Sequence, residues 1–244
     1  MLLPGKDINK QVLSFSAVLF AGIIFPVGLV YLWPVPAGIN LAWDWANSFG
    51  YLSLAICMFL FIYRGRARAF PAFSPRFFAN LHRELGYISL CLLFAHVGIL
   101  LLTEPLLLEH LKPTAPLHML AGVFAFILIL LLVTSSVPAA RRRLWPDYHV
   151  FRHIHAVLAV SIVALIGYHV LGSGFYLNNP WKIGLAYTVS LGILIYYLIS
   201  YYRNSPVTTT RISGSSQYSS YVSYGCTTLA VLVCLLLVLG SHFG

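Results

Sequence analysis

The sequence predicts an all-α, polytopic membrane helical bundle of about seven transmembrane helices. Three observations carry that expectation. Of 244 residues, 59% are hydrophobic and only 9% charged, with a mean hydropathy of +0.84, whereas a soluble domain carries roughly 25% charged residues. The apolar residues form long runs of the length, about 20 residues, that a helix needs to cross a bilayer. The basic residues gather in a few short connections on alternate sides of those runs, the pattern that orients a membrane protein.

The runs fall at about 12–33, 47–63, 80–103, 116–137, 150–172, 182–202 and 224–243. The first follows Lys6 and Lys10 and is longer than the roughly 7–15 apolar residues of a signal peptide. Val35-Pro36-Ala37 is a poor cleavage site, so the first run is expected to remain as a helix. Residues 205–223 are rich in Ser and Thr and read as a loop on the basic side. The chain reads as a single membrane domain over 1–244, with no internal repeat and no separate soluble domain. It holds neither a G-x-G-x-x-G nor a P-loop sequence, so neither familiar nucleotide-binding motif is present. Cys57, Cys91, Cys226 and Cys234 lie in or beside apolar runs without C-x-x-C spacing and read as small apolar fillers.

The net charge of +9 resembles a nucleic-acid signal, but its placement makes it a topology signal, and no nucleic-acid partner is expected. Arg64, Arg66, Arg68 and Arg76 lie between the second and third runs, Arg141, Arg142 and Arg143 between the fourth and fifth, and Arg203 and Arg211 after the sixth. These connections, with the N-terminus, are expected in the cytoplasm. The opposite connections hold Asp44, then Glu104, Glu109 and Lys112, then Lys182. Seven crossings put the C-terminus outside, and a bacterial inner membrane is the expected setting.

Four of the nine histidines form a pattern. His82 and His96 lie in the third run, His155 and His169 in the fifth, and each pair is 14 residues apart. Fourteen steps of about 100° end roughly 40° short of four whole turns, so both members share a helix face about 21 Å apart along the axis. In a hydrocarbon core about 30 Å thick, one member lies near each leaflet. The two runs cross in the same direction, so His82 falls level with His155 and His96 with His169. A planar tetrapyrrole between the helices takes one axial imidazole from each side, twice, at two depths. Ionisable residues inside a span usually mark function, although histidines bonded to neighbouring helices are the bland alternative. His153 is the rival to His155, but its 16-residue spacing to His169 is about 160° out of phase.

Other residues support this pattern. Gly86, Gly98, Gly122 and Gly167 either let a bulky ring approach the backbone or serve helix packing. Arg83 and Arg152 either pair with haem propionates or anchor the basic side. His118 either meets a quinone or acceptor or has no role, and Trp145 to Tyr148 is a turn or a docking element. His110, His149 and His242 carry no assignment.

Leu81-His82-Arg-Glu-Leu-Gly86, His96, Thr134-Ser135, Trp145, Arg152-His-Ile-His155 and His169 resemble the ferric reductase-like transmembrane domain. That superfamily includes ferric reductases, the membrane domains of NADPH oxidases and the haem-binding subunit of a methionine sulfoxide reductase system. The resemblance covers about 47–202. It implies a six-helix core with two stacked haems b ligated at His82, His96, His155 and His169, and electron flow from a cytoplasmic flavin to an outer acceptor. The longer members continue after the sixth helix into a flavin and NADPH domain; here 203–244 holds the Ser-rich loop and a further apolar run.

The expected function is therefore di-haem transmembrane electron transfer, as an oxidoreductase membrane subunit without its own flavin or NAD(P)H domain. A cytoplasmic flavin reductase or quinol is the donor, and an outer-face redox protein or metal the acceptor. A ferric or cupric reductase acting directly on metal needs the same haems. A non-haem transporter or assembly subunit is the contrasting class, but the runs are almost free of carboxylates away from their ends, Glu84 excepted.

Overall fold

The computed structural model describes residues 5–31, 39–63, 73–145, 147–202 and 215–243, and the regular structure among them is helical throughout. The α-helices are α1 (Gly5–Tyr31), α2 (Leu41–Ile62), α3 (Pro75–Thr103), α4 (Leu117–Ser136), the short α5 (Pro138–Leu144), α6 (Tyr148–Ser173), α7 (Pro180–Tyr202) and α8 (Ser219–Phe243). Seven of them, all but α5, are long and apolar enough to cross a membrane. The expectations for the Lys6 side chain, residues 35–37, Arg64, Arg66, Arg68, Arg203, Arg211 and residues 205–214 fall outside the described residues.

Local chemistry sets several boundaries beyond the apolar runs. α3 starts at Pro75 rather than residue 80, because the Ser74 hydroxyl accepts the Phe77 N–H at 3.2 Å and Pro75 takes the first helical position. Asn40 caps α2 through the Trp43 N–H at 2.8 Å, and Asp147 caps α6 through the His149 N–H at 2.7 Å. Gly174, at φ 61°, closes α6 in the left-handed conformation that glycine adopts freely. α8 begins at Ser219, so the last part of the expected loop is helical.

Several residues expected in connections are in helices: Arg76 in α3, Arg141, Arg142 and Arg143 in α5, Asp44 in α2 and Lys182 in α7. Asp44 sits in the first turn of α2, where an N-terminal carboxylate is favoured by the helix dipole. Lys182 lies in the first turn of α7, is fully buried, and donates to the Val30 carbonyl at 2.9 Å. Asp44 lies just before its apolar run and Lys182 at the first residue of its own, where pattern alone does not mark the helix start.

The bundle is organised in pairs. α3 packs chiefly on α2, and α6 on α4, while α1 and α8 cover the α2–α3 pair. α1 buries every fourth residue, Phe15, Leu19, Ile23, Val27 and Tyr31, and α8 does likewise with Val222, Cys226, Ala230, Cys234 and Val238. Ridges spaced by four residues interdigitate between helices, and the small side chains of α8 let α1 approach. Between α2 and α3, Ser53 and Ser89 join hydroxyls at 2.8 Å, with the Cys57 thiol 3.3 Å from Ser89, so these buried polar groups are satisfied within the apolar layer.

Candidate functional site

The 14-residue spacings within α3 and α6 put four imidazoles at two levels. At the level nearer α5, the ring centroids of His82 and His155 are 6.1 Å apart with planes inclined at 47°. At the other level, His96 and His169 lie within electrostatic reach of each other.

Each ring is fixed by a hydrogen bond at Nδ1. His82 bonds the Tyr63 carbonyl at 3.0 Å, His96 the Ala46 carbonyl at 2.8 Å, and His169 the His118 carbonyl at 3.0 Å. A carbonyl only accepts, so in all three the proton is on Nδ1. His155 Nδ1 lies 3.2 Å from the Ser136 hydroxyl, which donates its single proton to the Leu132 carbonyl at 2.6 Å. The Ser136 oxygen therefore accepts, and His155 also carries its proton on Nδ1. All four Nε2 atoms are left with a free lone pair, the form in which imidazole binds a metal.

The two halves are built alike. α2 and its C-terminal cap Tyr63 supply the acceptors for both histidines of α3, and α4 supplies those for both histidines of α6. Gly50 lies one turn beyond Ala46, and a Cβ there would stand 3.1 Å from the His96 ring. Gly122 lies one turn beyond His118, and a Cβ there would stand 2.8 Å from His169 Nδ1. The offsets, 72 residues for the glycines and 73 for both histidines, match the two halves position by position at the site. The correspondence lies in a few spaced positions and not in continuous sequence similarity.

Between α3 and α6 lies a cavity of about 460 Å³, lined by His82 and His155, by Arg83, Arg141 and Arg152, and by Cys57, Ser89 and Ile162 further along the axis. Its size is within the range of roughly 300–1,000 Å³ typical of ligand sites. Arg141 also lies 5.8 Å from the rings of Tyr148 and Phe151. Among the described residues no group of three or more His, Cys, Asp or Glu could hold a metal ion. Two imidazoles per level suit a metal whose other ligands come from a macrocycle.

Residues 49–166 match the family described as ferric reductase like transmembrane component. This segment belongs to the ferric reductase-like transmembrane superfamily. It contains His82, His96 and His155 and ends just before His169. A protein of Archaeoglobus fulgidus described as an uncharacterized protein is 32% identical over 116 residues, 43% of this chain and 61% of that protein. The chain thus spans less than two thirds of that relative's length. No solved structure matches the chain.

Within and around the ferric reductase-like segment, Arg83 and Arg152 both reach the cavity, and Arg83 also bonds the Asn80 side chain at 3.3 Å. Of the glycines singled out, Gly122 touches a histidine, whereas Gly86, Gly98 and Gly167 face open space, Gly86 in the cavity wall. His118 takes part through its carbonyl, and its side chain packs against Gly172. The sequence reading passed over Gly50, Ser136 and Arg141. It also left His242 unassigned, although its Nε2 lies 2.6 Å from the buried Asp44 carboxylate. Tyr176, on the α6–α7 connection, donates its hydroxyl to the other Asp44 oxygen. Burial first, then the neighbouring Tyr31 and Asp44, push the Tyr176 hydroxyl far above the ordinary tyrosine range.

Proposed function

We propose that the chain is a di-haem b electron-transfer protein, carrying electrons from a cytoplasmic flavoprotein or quinol to a redox protein or metal at the outer face. The observation that carries this reading is the His82–His155 separation of 6.1 Å. Two imidazoles on opposite faces of one metal place each nitrogen about 2 Å from it and each ring centre roughly 1 Å further back, a centroid separation of about 6 Å. The bare Nε2 atoms and the cavity between the rings support it further.

His82 and His155 would hold one haem, and His96 and His169 the other. Bound haem supplies a one-electron iron couple inside the hydrocarbon. The protein's own part is orientation: the Nδ1–H bonds fix the rings and make Nε2 more electron-rich. Arg83, Arg152 and Arg141 line the cavity as candidate partners for propionates, a charge-assisted pairing suited to guanidinium. The apolar outer surfaces of α4, α6 and α7 face lipid. On this reading the α5 side is cytoplasmic, and 47–202 forms the haem-binding core within a single membrane domain, with α8 an addition to it.

The test is haem content per chain, by pyridine haemochrome and reduced-minus-oxidised spectra, on full-length protein made with haem in excess. Two b haems are expected. His82→Ala or His155→Ala should remove one and leave the other, whereas His118→Ala should leave both. A colourless preparation ends the reading, and two haems retained after both inner changes refute the pairing.

A further inference from the structure

α8 carries polar side chains at both ends of an apolar helix. Ser220 and Ser223 lie near its start and His242 near its finish. Twenty-two residues of helix separate Ser220 from His242, about 33 Å, close to the full depth of a hydrocarbon core of about 30 Å. Each end meets a buried carboxylate on another helix. Ser220 donates to one oxygen of Glu84 and Ser223 to the other, both at 2.7 Å. His242 Nε2 donates to Asp44 at 2.6 Å; a carboxylate accepts, so this nitrogen bears the proton. Glu84 is 8% exposed and Asp44 1%, and a carboxylate at such depth is costly without partners.

The placement of the two carboxylates is informative. Glu84 lies two residues after His82, about 200° round α3, so the histidine faces the cavity while the glutamate faces α8. Asp44 lies two residues before Ala46, whose carbonyl holds the His96 ring. α8 therefore grips α3 beside the His82 level and α2 beside the His96 level. At the matching offsets in the other half stand Val157 and Pro116, neither of which accepts such a bond through its side chain. The grip is confined to the α2–α3 pair.

We propose that α8 is a strut that sets the axial register of α2 against α3, with Glu84, Asp44, Ser220, Ser223 and His242 as positioning residues for His82 and His96. The proposal rests on the di-haem reading for what those histidines do. Apolar ridges on α8 resist separation but tolerate sliding by a ridge; two polar tethers at opposite ends do not. Sliding of α3 on α2 carries His82 away from Tyr63 and His96 away from Ala46 together with the geometry of their rings.

Two measurements on the full chain test this. The first needs no haem: Ser89→Cys places a thiol beside Cys57, whose sulfur lies 3.3 Å from the Ser89 oxygen, so oxidant in isolated membranes should join the pair. Adding Ser220→Ala, Ser223→Ala and His242→Ala should slow that joining several-fold. The second reads the low-spin ferric signals of the haem-loaded protein by electron paramagnetic resonance. Ser220→Ala with Ser223→Ala, or His242→Ala, should shift the His82-level and His96-level signals together, because one slide of α3 on α2 displaces both rings. His242→Gln, whose amide can donate from the position of Nε2, should restore both. Ser220→Ala alone, which keeps the Ser223 bond, is the milder variant if the pair does not accumulate, and Leu232→Ala on the exposed face of α8 should move neither signal. Unchanged joining, or signals that stay put or shift one without the other, overturn the proposal. A protein without haem defeats the di-haem reading, and the thiol measurement then decides the register claim by itself.

Discussion

Gly122→Ala and Gly50→Ala are chemically identical changes at matching positions in the two halves, yet the structure assigns them different outcomes. A Cβ at 122 would lie 2.8 Å, 2.9 Å and 3.0 Å from three atoms of the His169 ring, and one at 50 would lie 3.1 Å, 3.3 Å and 3.4 Å from those of His96. Carbon atoms in comfortable contact stand about 3.5–4.0 Å apart. His169 must therefore retreat by roughly 0.7 Å and His96 by about 0.4 Å to restore contact at 3.5 Å. Neither ring is a free end, since each is bonded at Nδ1 to a carbonyl of the same neighbouring helix. Overpacking of this kind costs about 1–3 kcal/mol, and alanine regains about 1 kcal/mol over glycine in a helix interior. The balance is near zero for Gly50→Ala and a net loss of about 1–2 kcal/mol for Gly122→Ala. Thermal unfolding in detergent reads the stability difference, and on the di-haem reading the His96–His169 haem signal reads the displaced ring. Gly122→Ala should lower the midpoint and shift or abolish that signal, while the His82–His155 signal persists. Equal effects from the two glycines, or a larger one from Gly50→Ala, would refute the reasoning, because the clearances would then not control the rings.

Two further outcomes follow from single hydrogen bonds. Ser136→Ala leaves His155 Nδ1–H without the acceptor it has at 3.2 Å; loss of such an outer partner typically lowers metal affinity 10–100-fold, so on the di-haem reading haem titration should show weakened binding at one site only. Tyr176, its hydroxyl held protonated far above the usual range, keeps its proton in the folded chain where the unfolded chain loses it, above about pH 10. Its contribution to stability is complete below that pH and is lost as pH rises further, so unfolding midpoints should fall above pH 10 in the parent protein and less steeply in Tyr176→Phe.

The helix count and the histidine levels were legible because both depend on periodicity, which survives without tertiary knowledge. The partners of the histidines were not. Ala46, Tyr63 and His118 act through backbone carbonyls, and a carbonyl leaves no mark in the residue type. Gly50 and Gly122 did leave a mark, an offset of 72 residues beside the 73 of the histidines, but so sparse a correspondence has no meaning until both contacts are seen. Asp44 looked like part of a connection because it precedes the apolar run, and its pairing with His242 spans 198 residues. Glu84 stood out as a lone carboxylate within a span, yet only the arrival of α8 shows that Ser220 and Ser223 satisfy it.

The pairwise construction bears on how haem and fold depend on each other. α3 rests on α2 and α6 on α4, while the cavity lies between α3 and α6. On the proposed reading each level is closed by one imidazole from each half, so ligation would add to the direct packing that already joins the two pairs, the Cys57, Ile129 and Ile162 cluster and the Phe94–Phe126 ring pair. Binding to the folded arrangement alone stabilises it by mass action, and metal ligation is then part of the folding free energy. The dependence is unequal between the halves. α1 and α8 cover the α2–α3 pair and clamp its carboxylates, whereas α4 and α6 bury few residues, Ala121, Ala125, Ile129 and Ile162. The α2–α3 half thus has internal support for its histidines, whereas the α4–α6 half, held to the first by fewer contacts, would on that reading gain more from the shared ligand.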